Sequence, residues 1–189
     1  MENEITFFLV RHGEAENNVL SILNSEPERE KYSLTARGQK QIAETAQFLS
    51  AAHADALISS PMERTKETAE IISHAVGLPI RFDDRLCESG MGMYNGKPQR
   101  ELLKKYPEPE MRLSPDPKDG TESFLDLRGR LMSFLDDIKG SYAGKKVIIV
   151  SHGDTLEQLH GILTNESPGV SALGWSPEKG SCKEVVWKI

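Results

Sequence analysis

The segment Ile5–Asn18, ITFFLVRHGEAENN, constrains this chain more than any other. Ile5 to Val10 is an apolar run rich in β-branched and aromatic residues, the pattern of a parallel strand buried on both faces. Polarity then changes abruptly to Arg11-His12-Gly13-Glu14. In open α/β sheets, ligands bind outside the carboxyl ends of the strands, where such endings fall. Arg11 offers a planar donor fork suited to carboxylate or phosphate. His12 is an imidazole able to act as nucleophile, base or metal ligand near neutral pH. Gly13 lets the backbone approach a ligand closely.

The rest of the chain alternates between strand and helix patterns. Val19 to Lys31 is a polar loop; Thr35 then caps a helix whose Ile42, Ala46 and Leu49 share one face. Ala56 to Ser59 reads as a second strand, and Pro61 to about Ala75 as a helix closed by Gly77-Leu78-Pro79. Ile80 to Phe82 is a marginal strand. Thr121 to Lys139 predicts a helix with Leu127, Leu131, Phe134, Leu135 and Ile138 facing inward. Val147 to Val150 is a buried strand ending in Ser151-His152-Gly153, followed by a helix from Thr155 to about Leu163. Cys182 to Lys188 closes the chain as a strand suited to an antiparallel edge. These elements predict an α/β fold: a three-layer sandwich with a mostly parallel central sheet and helices on both faces, as one domain over residues 1–189.

Residues 92–120 differ in texture. Five of the ten prolines fall between Pro98 and Pro117, around one short helical pattern at Gln99 to Lys105. That composition belongs to an excursion over a surface, a short lid insertion. Its Arg100, Lys104, Lys105 and Arg112 make it basic, either as a solvated face or as a site for a second anionic group on a ligand.

Hydrophobic content of 38% and charged content of 28% describe a soluble globular protein. No apolar run approaches the roughly 20 residues that span a bilayer. The acidic start, Met1 to Glu4, lacks a signal-peptide pattern. Cys87 and Cys182 offer neither a disulfide framework nor metal spacing, so a cytoplasmic, reducing home is the default. A net charge of −6 argues against nucleic-acid or anionic-membrane partners. An anionic ligand would need a local cationic pocket.

His-Gly occurs three times, at His12, His152 and His160. Only the first two end apolar strands, and two parallel strands would deliver both imidazoles to one crevice. Arg64, in SSPMERT, falls in the first turn of a helix, where free N–H groups and the macrodipole attract anions; it is placed to join Arg11 on one phosphate. Glu88, at the start of the excursion, is a carboxyl group whose pKa rises if desolvated, suiting it to protonate a leaving oxygen.

Together these fragments resemble the histidine phosphatase superfamily, the phosphoglycerate mutase-like proteins. Leu9-Val10-Arg11-His12-Gly13-Glu14 with Asn18 seven residues after the arginine looks like that family's signature. Leu34 to Gln41, Ser59 to Ala69, Leu86 to Gly96 with its Glu-x3-Gly-x3-Gly spacing, and Ser151-His152-Gly153 are similar to its later blocks, in order along nearly the whole chain. Gly120, Glu122, Ser123, Asp126 and Arg130 fit the helix after the insertion.

The resemblance implies a metal-independent phosphatase that needs no cofactor and acts on a small-molecule phosphomonoester. His12 would carry the phosphoryl group, Arg11, Arg64 and His152 would surround its oxygens, Asn18 and Gly153 would help bind it, and Glu88 would serve as acid and base. Phosphoglycerate mutase-type transfer and a non-catalytic phospho-ligand-binding module are the alternatives, with a metal hydrolase built on His12, Glu14, His152 and Asp154 behind them. Mutases of this family carry a longer insertion than residues 92–120. Ala15 replaces a usual Thr or Ser. Asp154, which would repel an anion, is expected to face away or to cap the next helix. Cys87 is expected to be a packing residue.

Overall fold

A computed structural model of the chain describes residues 4–189; the acidic Met1–Asn3 lies outside them. Strand β1 (Glu4–Arg11) leads through a short helix α1 (Glu16–Val19) and an irregular loop to α2 (Ala36–Ser50). Then follow β2 (Ala56–Ser59), α3 (Glu63–Val76) and β3 (Ile80–Phe82). The excursion carries α4 (Gln99–Lys105) among 3-10 turns, and the chain returns in α5 (Phe124–Tyr142), β4 (Lys146–Ser151), α6 (Gly153–Leu163), α7 (Pro168–Leu173) and β5 (Cys182–Lys188).

The five strands form one sheet in the order β3-β2-β4-β1-β5. All pairings are parallel except β1 with β5, so the antiparallel edge is where the sequence reading put it. Period-two geometry explains the unbroken apolar runs. Phe7, Leu9, Val147 and Ile149 point to one face and pack against Leu127, Leu131 and Phe134 of α5 and Leu156 and Leu159 of α6. Phe8, Val10, Ile148 and Val150 point to the other, against Ile42 and Leu49 of α2 and Ala69 and Ile72 of α3. Each such side chain contributes roughly 1.5–3 kcal/mol by leaving water. The result is the three-layer sandwich that the periodicity predicts.

Several boundaries differ from the sequence reading. α3 begins at Glu63, not Pro61, because Met62 holds the extended N-cap conformation. α5 begins at Phe124, not Thr121, because the Ser123 hydroxyl accepts from the Asp126 N–H and starts the helix there. α6 begins at Gly153, with His152 extended at its N-cap. The short α1 and α7 carry too few turns for a periodic signal.

The excursion is anchored at its base: Met91 bridges Thr121, and Glu122 N–H donates to the Gly90 carbonyl at 2.8 Å. It packs on a small core of its own, Met91, Tyr94, Leu102 and Tyr106.

The loop after β1 is locked by close backbone contact. Thr35 N–H donates to the Glu14 carbonyl at 2.9 Å, and the Thr35 hydroxyl accepts from Gly38 N–H at 3.0 Å. A Cβ on Gly38 would sit 2.0 Å from the Glu14 carbonyl oxygen, which is backbone and has nowhere to go. Gly38→Ala is therefore expected to destabilise the protein by about 3 kcal/mol, the upper end of overpacking penalties. Urea denaturation measures it; a loss below about 1 kcal/mol would show that the loop yields.

Candidate active site

Arg11 and Ser151 are register partners at the carboxyl ends of β1 and β4, so His12 and His152 emerge side by side. His12 N–H donates to the Ser151 carbonyl at 3.1 Å, and the two imidazole centroids lie 5.3 Å apart. A cavity of about 210 Å³ opens there, and its wall includes Arg11, His12, Asn18, Arg64 and Glu88. His152 lies against His12, fully buried, and Gly153 lies beneath the Arg11 guanidinium, where a Cβ would come within 3.3 Å of it.

The tautomer of His12 is set from both sides. Its Nδ1 lies 2.7 Å from the Gly13 carbonyl oxygen, which can only accept, so Nδ1 carries the proton. Arg64 Nε, which can only donate, lies 3.1 Å from Nε2, so Nε2 holds the lone pair. Burial first, then the charges of Arg64 and Arg11, hold the His12 pKa well below the ordinary histidine value. His152 is lowered for the same reasons, burial first. Its Nε2 lies 2.8 Å from the Ser60 hydroxyl, while Nδ1 is buried with no hydrogen-bond partner among the described residues.

Arg64 is only 2% exposed yet meets no carboxylate in an ion pair among the described residues. Asn24 holds it instead, accepting from Nη1 at 2.6 Å through Oδ1 and from Nη2 at 3.0 Å through its carbonyl. Burial lowers its pKa to about 10, although Glu88 and Glu28 pull the other way. The N-terminus of α3, expected from sequence to bind an anion, is already served: the Glu28 carboxylate accepts from Glu63 N–H at 3.2 Å. Arg11 donates through Nη1 to the Pro177 carbonyl at 2.7 Å, and its buried Nε has no partner among the described residues. Gly180 N–H bridges the Arg11 and His12 carbonyls at 3.2 and 3.1 Å, fastening the loop before β5 to the site. Asn18 accepts from Ala15 N–H at 3.0 Å through Oδ1, which leaves its amide N–H groups to donate.

Glu88 is positioned by its neighbours in the chain and by α5 and α6. Its Oε1 accepts from Ser89 N–H at 3.0 Å, with the Thr155 hydroxyl at 3.4 Å. Arg130 donates to the Cys87 and Glu88 carbonyls at 3.0 and 3.3 Å and to Glu122 at 2.8 Å, holding this stretch of backbone. Burial, then repulsion from Asp154, raise the Glu88 pKa above the usual carboxylate range, against the pull of Arg64.

Asp154 is a correction to the sequence reading. It does not face away: it lines the cavity. Its Oδ2 accepts from Arg112 Nη1 and from the Ser89 hydroxyl, the latter at 2.6 Å. Burial would raise its pKa, but Arg112 and Ser89 outweigh that and keep it ionised. Arg112 is a second correction, because it is not solvated and its charge is already paired, although its buried Nε has no partner among the described residues. It is 7% exposed, paired with Asp154, bonded to Ser89 through Nη2 at 2.9 Å, and stacked 4.7 Å from the Phe124 ring. Arg100 and Lys104 are exposed, and Lys105 pairs with Asp116 at 3.5 Å; none of the three lines this cavity.

The Glu14 carboxylate accepts from the Thr35 hydroxyl at 2.9 Å and pairs with Arg37, so the metal set of His12, Glu14, His152 and Asp154 does not gather. Cys87 is buried, with its thiol pushed up to about 11 by burial, as suits a packing residue. Sequence reasoning missed Asn24, Ser60 and Lys179, of which Asn24 and Lys179 are on the cavity wall. Asn24 and Lys179 sit in no periodic or motif-like context, whereas Ser60 lies within the Ser59 to Ala69 block, where only Arg64 drew a role.

Since Asn24 aims Arg64, Asn24→Ala is expected to weaken binding of inorganic phosphate by roughly tenfold, the worth of one charge-assisted hydrogen bond. Calorimetric titration reads it; unchanged affinity would mean that Arg64 is held without Asn24.

The sequence profile of the histidine phosphatase superfamily (branch 1) matches residues 7–181. An uncharacterized phosphatase, PhoE, of Bacillus subtilis is 34% identical over 187 residues, covering 96% of this chain and 90% of that protein. The probable phosphoglycerate mutase GpmB of Salmonella choleraesuis is 34% identical over 156 residues, 79% of this chain and 70% of that protein. Among solved structures, mycobacterial glucosyl-3-phosphoglycerate phosphatase complexed with VO3 shares the fold, with a TM-score of 0.82 at 21% identity over 95% of this chain and 90% of that one. By profile, identity and coverage alike, this chain belongs to the histidine phosphatase superfamily.

Proposed function

We propose that this chain is a phosphomonoesterase that passes a phosphoryl group from a small phosphorylated substrate through His12 to water. The observation that carries the reading is the neutral His12 imidazole, with its Nε2 lone pair held at a cavity whose wall bears two guanidinium groups and a raised carboxyl group.

In the first step Nε2 attacks phosphorus while the bond to the alcohol oxygen breaks. Protonated Glu88 gives that oxygen its proton. The phosphoryl oxygens take over the N–H groups of Arg64 and Arg11, with Asn18 and the unpartnered Nδ1 of His152 adding further contacts. Binding the anion therefore also withdraws the Arg64 Nε–H from Nε2, freeing the nucleophile as it is needed. In the second step the Glu88 carboxylate takes a proton from water, the water oxygen bonds to phosphorus, and the N–P bond breaks. Orthophosphate leaves, and His12 and Glu88 return to their starting states. The unit is residues 1–189, with 92–120 as a lid. An insertion this short favours hydrolysis over the return transfer of a mutase.

Rapid quench in base should trap phosphohistidine in the native protein, and His12→Ala should abolish both the trapped species and turnover, with a chelator leaving the native rate unchanged. Turnover persisting in His12→Ala would sink the covalent route. Glu88→Gln is expected to slow hydrolysis of an alkyl phosphate by roughly 100-fold or more, and of p-nitrophenyl phosphate far less, because nitrophenolate departs without a proton.

The pH profile follows from the shifts already described. Activity needs His12 neutral, and its lowered pKa puts the acid limb below the usual histidine range. Activity also needs Glu88 protonated, so it is lost as pH rises through the raised Glu88 pKa. Asp154→Asn removes one cause of that elevation and leaves the Arg112 charge uncompensated. Both changes lower the Glu88 pKa, so the alkaline limb of kcat/KM is expected to move to lower pH. A shift the other way would remove Glu88 as the acid.

A further inference from the structure

A second cavity, of about 250 Å³, adjoins the first and shares Leu23, Met91, Gln99 and Asp154 with it. The excursion supplies most of its walls. Leu23, Met91, Leu102, Leu103, Tyr106 and Phe124 make it largely apolar. Its one cation among the described residues is Arg112, whose charge Asp154 pairs; both terminal nitrogens are committed, to Asp154 and to Ser89, and only the buried Nε is unpartnered. Two carboxyl groups also line it, Asp154 and Glu157. Glu157 accepts from the Ser176 hydroxyl at 2.8 Å, and burial and Asp154 push its pKa up to about 8. The exposed Arg100 and Lys104 and the paired Lys105 are not on its wall, and Lys179 borders the first cavity and a separate groove beside Arg37.

We propose that this cavity receives the alcohol portion of the substrate, and that it selects an uncharged, apolar, ring-sized alcohol over one that carries a second anionic group. The inference rests on the phosphatase reading of the neighbouring cavity and names its substrate class. A carboxylate entering here would lose its water and meet one arginine whose charge Asp154 already matches, beside a second acidic group, Glu157. An apolar ring would exchange water for Leu102, Leu103 and Phe124. The requirement is also opposite to that of a phosphoglycerate, whose alcohol portion bears a carboxylate.

Non-hydrolysable phosphonates test the subsite apart from the chemistry. Benzylphosphonate is expected to bind at least roughly tenfold tighter than methylphosphonate, the gain from removing a phenyl ring from water. 3-Phosphonopropanoate should bind no tighter than methylphosphonate. Leu103 is half exposed, so Leu103→Arg is tolerated by the fold while adding a cation to the wall; it should shrink the ratio of benzyl to carboxylate affinity several-fold. A carboxylated phosphonate that matches benzylphosphonate in the native protein, or an unchanged ratio in Leu103→Arg, overturns the proposal. Hydrolysis of phenyl and methyl phosphate is measured in parallel. Benzyl preference without any turnover would defeat the phosphatase reading and leave the subsite standing, whereas turnover without benzyl preference would defeat the subsite alone.

Discussion

The contact between Arg64 Nε and His12 Nε2 is the interaction on which the remainder of the site depends. It places a dehydrated cation against a dehydrated neutral base, an arrangement that water would otherwise dissolve. An isolated buried charge is costly, and a nearby carboxylate is the usual remedy. Here the guanidinium receives two oxygens of Asn24 instead, neither of them charged. The cation is thus held but not neutralised, and the missing negative charge is what a phosphoryl group brings. The same positive field, added to burial, keeps both histidines unprotonated.

A second charge relation ties the excursion to this centre. Arg112, from the far end of the excursion, pairs with Asp154 in the first turn of α6, and both bond to the hydroxyl of Ser89. Ser89 is the neighbour of Glu88. The electrostatic setting of the acid therefore depends on how the excursion sits, because displacing Arg112 would expose Glu88 to an uncompensated carboxylate. Arg130 and Glu122 provide the matching mechanical restraint on the backbone at residues 87–90.

Much of the fold is legible in the sequence because it is governed by local periodicity. The runs in β1 and β4 are apolar at every position since both faces of the sheet are covered, and Thr35 and Gly77 mark helix ends by their own chemistry. What escaped was decided by tertiary partners. Asp154 looked misplaced in an anion site because its counter-ion lies 42 residues earlier in the chain, within a segment that reads simply as basic. Asn24 escaped because a loop asparagine carries no pattern until its partner is in place. Helices α1 and α7, of 4 and 6 residues, are too short to show a period.

The order of strands has a bearing on how the protein is made. Of the five strands β1 is made first, yet its two neighbours in the sheet are β4 and β5, more than 130 residues later. Until then its backbone has no sheet partner, and contacts of such long range are slow to form. The backbone of Arg11 and His12 is also fastened by Gly180 and Ser181, which are synthesised after every helix of the fold. A nascent chain thus holds its reactive imidazole in an unformed loop, and competence arrives only when the closing strand zips onto the opening one.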